Sequence, residues 1–237
     1  MVGLGHVGAT ISVMAFFTDD SVAFWRELAA NNNKTWFDEN RKRYEKYLRA
    51  PYVALAEAVV EQVKELEPEY SIEAKHALYR INRDIRFSAD KTPYKTELGL
   101  TVGRTQKHDP EWPAYTARLG LDGMAVAGGL YMPPKELRDR VRRYVGEHAA
   151  ELTSVEQEAT EFAATFGRLG GDAHKRAPAG LKELAEAEPR VLNTQWVFWA
   201  RFDDPELFTN PQLDQFILDQ WEMARPIQEF LKRAVQA

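Results

Sequence analysis

Arg80, Asn82, Asp84 and Arg86 alternate with Tyr79, Ile81, Ile85 and Phe87, and most of them fall in a run of sixteen residues, RINRDIRFSADKTPYK, from Arg80 to Lys95. A period of two puts the polar set on one face of a strand, as a row of donors interrupted by one carboxylate. Guanidinium forks give two parallel charge-assisted hydrogen bonds to a carboxylate or a phosphate, so the chemistry this row suits is oxyanion binding. Lys91 and Lys95 follow, with Pro93 stiffening the turn between them. Arg83 sits on the otherwise apolar parity and needs a partner if buried; Asp90 and Glu97 are the candidates. The bland reading is a solvated strand laced with Arg–Asp pairs, which are common and individually weak.

A second chemistry is open to Asp84 and Asp90, as a general acid/base pair or as Mg²⁺ ligands. Among so many cations they are better explained as counter-ions. Elsewhere the signals are sparse. The five histidines, His6, His76, His108, His148 and His174, show no HExxH or paired-ligand spacing, which gives no case for zinc. There is no glycine-rich nucleotide loop of either common type and no G-x-S-x-G elbow, and Ser88 has no identifiable base. Asn31 to Asn33 read as helix caps before ligand amides. Trp36, Phe37, Trp196 and Trp199 read as core; a base-stacking platform would need exposed rings beside cations.

The elements that must position this run follow from periodicity. Thr18 to Ser21 offer caps for a short helix carrying Val22, Trp25 and Leu28, and a second start lies at Thr35. Pro51 is expected to kink or restart that helix before the Leu55, Val59, Val63, Leu66 stripe. Tyr79 to Phe87 and Tyr94 to Val102 alternate as strands, and strands over Ala114 to Leu121 and Met124 to Tyr131 flank the hairpin signal Asp122-Gly123. A helix begins at Pro133-Pro134, another covers Val155 to Phe166, and HKRAPAGL is irregular. Gln195 to Phe202 reads as a strand buried on both faces. A long C-terminal helix starts near Pro211, with a kink expected at Pro226. The result is an α+β fold, with a central, mostly antiparallel sheet and helices packed from the N- and C-terminal segments. Residues 1–15 read as an N-terminal extension, with Met14 an alternative start, and 16–237 as one domain.

Composition fits a soluble globular chain of 237 residues: 44% hydrophobic, 28% charged and no cysteine. Without cysteine there are no disulfides or thiolate chemistry, and a cytoplasmic location is the default. Residues 1–17 lack a basic n-region and are too short and glycine-rich to span a membrane. The whole chain carries −5, which gives no general attraction for nucleic acid or anionic lipid. From Lys75 to Lys107, eight cations face three carboxylates, a net +5 that leaves −10 on the rest. A basic island on an acidic body favours one anion at one place.

The central run resembles the signature RI-x-RD-x-RFS-x-DK-x-PYK of the domain of unknown function family twenty-four sixty-one. The resemblance continues in Asn31-Asn32, Trp36-Phe37 and Tyr44-Glu45, in Gly128-Gly129 before Pro133, and in the block Lys175-Arg176, Pro178, Gly180. It departs near 174–192, where His174 stands for an apolar residue, Leu181 for an aromatic and Glu188-Pro189 for a His-Pro, so no catalytic His is carried over there. The resemblance implies a single-domain fold and joint action of Arg80, Arg83, Asp84, Arg86, Asp90, Lys91, Tyr94 and Lys95, with Asn32, Lys175 and Arg176 as secondary candidates. It implies no activity. The expected ligand is an anionic small molecule bearing phosphate or carboxylate, bound chiefly through Arg80, Arg86, Lys91 and Lys95. The alternatives are a hydrolase or phosphoryl-transfer enzyme using Asp84 or Asp90, and a nucleic-acid or protein interaction module using the same patch. The sequence assigns no cofactor and no oligomeric state.

Overall fold

The computed structural model describes residues 15–86 and 89–237. The expected N-terminal extension, all but Ala15, and the expected strand anchor Phe87 lie outside the described residues. Helices open the chain. α1 (Asp19–Ala30) is entered through Thr18, whose amide bonds Ser21 Oγ at 3.0 Å. α2 (Lys34–Glu39) is capped by Asn33, whose side-chain oxygen accepts from the Trp36 amide at 3.0 Å. α3 (Arg41–Tyr44) runs through a π turn (Glu45–Arg49) into α4 (Ala50–Leu66). Pro51 therefore does not interrupt the helix. It occupies the first turn of α4, and the wider π turn just before it makes room for a residue that has no amide proton.

After a short α5 (Ala74–Ala77) come β1 (Glu97–Val102), β2 (Ala114–Gly120) and β3 (Gly123–Leu130). Four helices follow, α6 (Lys135–Glu147), α7 (Ala149–Glu158), α8 (Thr160–Phe166) and α9 (Lys182–Ala187). β4 (Trp196–Phe202) and the long α10 (Leu213–Gln236), which contains Pro226, complete the fold. The four strands pair in the order β1-β2-β3-β4, all antiparallel. This is an α+β architecture. One hydrophobic cluster runs from Phe17 to Val235. Among the described residues no helix is long and apolar enough to cross a membrane.

Three expectations are corrected. The helix read over Val155 to Phe166 is two, parted at Ala159. The β2–β3 turn is Leu121-Asp122, since Gly120 pairs with Gly123. Gly123 has φ 125°, and a Cβ there would stand 2.0 Å from the Phe202 carbonyl oxygen. The third correction concerns β4, which is buried on one face only. Trp196, Phe198 and Ala200 point into the core against helices, whereas Trp199 is 65% exposed and Arg201 is also exposed. α10 packs on β3 and covers the inner face, reaching Ala114 O with Gln228 Nε2 at 3.0 Å.

Two polar devices tie the helices to the sheet. The first is a buried network around Lys232 of α10, which is 5% exposed. Its ammonium bonds Glu67 at 2.6 Å, Glu69 at 2.7 Å and Glu229 at 2.9 Å, and Glu67 also accepts from the Tyr115 hydroxyl. Burial alone would lower the Lys232 pKa; the three carboxylates outweigh it and raise it. These carboxylates lie close enough together to hold a cation, and the lysine is that cation.

The second device is the hydroxyl of Tyr52 in α4. It accepts from the Tyr79 amide at 3.1 Å and the Gly99 amide at 3.2 Å, and donates to the Gly99 carbonyl. It thereby fastens the extended segment 78–83 along the free edge of β1. Burial is the main cause that pushes the Tyr52 pKa up to about 12.

Replacing Lys232 by Met should cost about 3–5 kcal/mol, because Glu67 is left as an uncompensated buried charge; chemical denaturation would measure it. Tyr52→Phe should cost about 1–3 kcal/mol, since the Gly99 amide loses its acceptor while the Tyr79 amide keeps the Gly99 carbonyl. A tyrosine raised from 10 to about 12 on folding contributes its full stability below the unfolded value and loses it as pH climbs through the folded one. In wild type, an alkaline titration should therefore show delayed tyrosinate absorbance and unfolding between those limits. Tyr52→Phe should remove part of that late absorbance.

Candidate anion-binding site

The extended segment leaves α5 at Leu78 and pairs antiparallel with the chain that leads into β1. Leu78 bridges Leu100 and Asn82 bridges Tyr94. Ladder bonds run from Tyr79 N to Gly99 O (2.9 Å), Lys95 N to Ile81 O (2.8 Å) and Arg83 N to Pro93 O (2.8 Å). Pairing stops at Arg83. The strand expected through Phe87 is thus cut short. The cause is local, because Asp84 bonds both the backbone and the side chain of Arg86, two residues on, and turns the chain away from the sheet. Ile85, an expected anchor, is 41% exposed.

Asn32 holds this segment from outside. Its side-chain amide donates to the Tyr94 carbonyl at 2.9 Å and accepts from the Tyr94 amide at 3.0 Å, as a neighbouring strand would. The Tyr94 ring is buried and stacks on Phe37 with centroids 4.0 Å apart. Asn32 and Tyr94 are thus positioning residues, and the Asn-Asn and Trp-Phe blocks that accompany the central motif meet it in space.

The charged members of the run separate into two sets. In the first, each group has a partner within the run. Asp84 is gripped by the Arg86 guanidinium at 2.6 and 3.0 Å, which holds its carboxyl well below the usual range. Asp90 accepts from the Thr92 amide and hydroxyl, which lower its pKa, and pairs with Arg83 at 3.1 Å. Lys91 donates to the Ile85 carbonyl at 2.8 Å. Both carboxylates are therefore occupied and held in the charged form, poor starting points for a general acid or base at neutral pH.

The second set is short of partners. Lys95 forms no ion pair among the described residues and lies 5.4 Å from the Tyr79 ring centroid. Lys107 approaches the same ring at 4.7 Å and donates to Leu78 O at 2.7 Å. Burial lowers both lysine pKa values; Arg118 and Arg80 lower Lys95 further, and Arg80 does the same to Lys107. Arg80 itself is exposed, has no ion pair among the described residues, and lines a cleft of about 270 Å³ with Arg41 and Arg49. Arg83, though paired with Asp90 through one nitrogen, keeps a buried Nε without a partner.

Lys95 and Arg83 line one cleft of about 440 Å³ beside the β2–β3 turn. Arg118 and Arg201 complete its cationic wall, opposed by Glu97 and Asp122. Sheet register explains the arrangement. Gly99, Arg118, Ala125 and Arg201 are successive partners across β1 to β4, so their side chains form one row on the outer face. Glycine and alanine keep that row low, and Trp199 stands two residues from Arg201 on the same face. Arg118 pairs with Glu97 at 3.0 Å, and Arg201 pairs with Asp203.

The structure thus brings Arg83 and Lys95 to one cleft and places Arg80 at another. It commits Asp84, Arg86, Asp90 and Lys91 to contacts inside the run. Lys175 and Arg176 are elsewhere, over α6. Sequence reading missed Tyr52, the ring of Tyr79 as a seat for lysines, and Arg118 and Arg201. For Arg118 the signal is its place on an alternating strand; Arg201 lies on a strand read as buried on both faces.

A family model described as "Conserved hypothetical protein (DUF2461)" matches this chain. No match was found among curated proteins or among solved structures. The match spans residues 20–230, and the chain belongs to this family of conserved hypothetical proteins.

Proposed function

We propose that this protein is a cytoplasmic binder of a small phosphate- or carboxylate-bearing ligand, which enters the cleft lined by Arg83, Lys95, Arg118 and Arg201. One observation carries the reading. Lys95, without an ion pair among the described residues, and Arg83, with a buried, unpartnered Nε, share a single cleft of about 440 Å³. A buried donor without an acceptor costs free energy, and a crowded lysine is destabilised in its charged form; an anion would relieve both. Of the first set, Asp90 reaches Arg83 through one nitrogen and leaves the Arg83 Nε without an acceptor. The clamp expected from Arg80, Arg86, Lys91 and Lys95 is accordingly redrawn around Lys95 and Arg83. With Asp84 and Asp90 both occupied, binding is favoured over hydrolysis or phosphoryl transfer.

A second reading rests on Trp199. An exposed indole beside Arg201 and Arg118 on an open sheet face is the arrangement that stacks bases of single-stranded nucleic acid. The net charge of −5 opposes it except at this face.

Titration with inorganic phosphate at fixed ionic strength should show saturable binding to wild type and to Arg86→Ala, and binding at the Arg83–Lys95 cleft should be at least about tenfold weaker in Lys95→Met. Equal affinity for wild type and Lys95→Met would sink the proposal. Because Lys95 is held below the ordinary lysine value in the free protein, its charge is lost earlier as pH rises. Phosphate affinity should fall on the alkaline side before pH 10.5, and Lys95→Met should flatten that limb. For the second reading, binding of a short oligonucleotide should weaken with salt at a log–log slope of about −0.7 per phosphate neutralised. It should also quench Trp199 fluorescence. Salt-independent binding, or quenching unchanged in Trp199→Ala, would dismiss it.

A further inference from the structure

We propose a second, separate phosphate site between the N-terminal half of α6 and the loop that carries Lys175 and Arg176. The observation is a buried guanidinium with an unused arm. Arg142 is 2% exposed. Its Nε donates to the Asn193 carbonyl at 2.9 Å and its Nη1 to Asp139 at 3.1 Å, while its Nη2 has no partner. Burial, with Arg138 one turn away, lowers the Arg142 pKa despite the contact with Asp139. Arg138 likewise keeps a buried Nε without an acceptor. A chain that only needed to fill this space would do so more cheaply with an apolar side chain.

Both arginines line a cleft of about 630 Å³ together with Lys135, Asp139, Lys175 and Arg176. Five cations therefore face one carboxylate, and that carboxylate is shared between Lys135 at 2.8 Å and Arg142. The opposite wall is fixed in place. Ala173 bridges Asn193, and the His174 amide bonds the Leu192 carbonyl at 2.8 Å. Arg190, largely buried, pairs with Glu156 and Glu188 at 2.7 Å each and anchors the chain just beyond. Lys175 and Arg176, which the sequence singles out and the first cleft does not use, are exposed at the mouth. Pro134, the residue before α6, supplies no capping oxygen, so the positive end of the helix adds to the field. A surplus of this size, delivered from two walls, suits a phosphate dianion better than a single carboxylate. The volume leaves room for the organic part of a small phosphorylated molecule.

The test silences the first cleft and probes the second. In a Lys95→Met background, equilibrium dialysis with inorganic phosphate at constant ionic strength should still detect one site. Adding Lys175→Ala and Arg176→Ala, both exposed and expected to fold, should weaken it at least about tenfold. Arg142→Lys, which keeps the charge but loses the free arm, should weaken it as well, and acetate should compete poorly. Loss of all phosphate binding in Lys95→Met alone, or binding unchanged by the Lys175/Arg176 substitutions, would overturn the proposal. Failure of the first cleft would look different: Lys95→Met would bind like wild type, while the Lys175/Arg176 variant would not.

Discussion

Everything distinctive in this fold depends on how the backbone from Tyr79 to Lys95 satisfies its hydrogen bonds after leaving a regular sheet. A buried amide or carbonyl cannot be left without a partner, and a segment that pairs over only a few residues has too few backbone partners to offer. Side chains from the N-terminal helices supply the rest. The Tyr52 hydroxyl takes the amides of Tyr79 and Gly99, and the Asn32 amide serves both backbone groups of Tyr94. Each is a polar group on a helix imitating the edge of a strand. The consequence is a frame whose pairing with β1 is completed by neutral side chains, with charged residues fixing the turn beyond it.

That frame explains why neighbouring charges have such different standing. Asp84 pairs with Arg86, Asp90 with Arg83 and Thr92, and Lys91 with the Ile85 carbonyl, all within a few residues, in largely exposed contacts that contribute little to stability. Their role is to turn the chain. Lys95 and Arg83 look back toward the sheet, where Arg118 and Arg201 add like charge. Placing cations together in a half-buried cleft costs stability, and proteins concentrate such costs at sites where a ligand removes them. The Lys232 network shows the contrasting case. A buried ammonium there has three carboxylates around it, and nothing is left for a ligand to satisfy.

Much of this was legible in the sequence wherever the determinant is local. Alternation gave the β2 and β3 strands, helical spacing gave α1, α4, α6 and α10, and the +5 island covers the segment that carries Arg83 and Lys95 of the proposed cleft. The pairing of Arg83 with Asp90 was also within reach, because an arginine on an apolar parity needs a nearby carboxylate. What failed depended on distance in sequence or on competition. Period two continues through Phe87, yet Asp84 captures Arg86 and ends the pairing. Trp199 has the composition of a core residue, but its burial depends on whether a helix covers that side of β4. Tyr52 sits on a buried helical stripe, and nothing in its spacing reveals that its hydroxyl reaches a strand 47 residues away.

The two basic clefts are built on a common principle from unrelated parts. At the first, an extended segment and a sheet row present Arg83, Lys95, Arg118 and Arg201; at the second, a helix and a pinned loop present Arg138, Arg142, Lys175 and Arg176. In each, one guanidinium is partly committed to a carboxylate or carbonyl that fixes its plane, and keeps a buried nitrogen unsatisfied. Fixing the plane matters because an oriented fork loses less entropy on meeting an anion than a free side chain does. The carboxylate that orients the fork also limits the local charge, so the cleft stays folded when empty. On the proposed reading, an acidic body with two such points would hold discrete anions there and repel extended polyanions elsewhere on its surface.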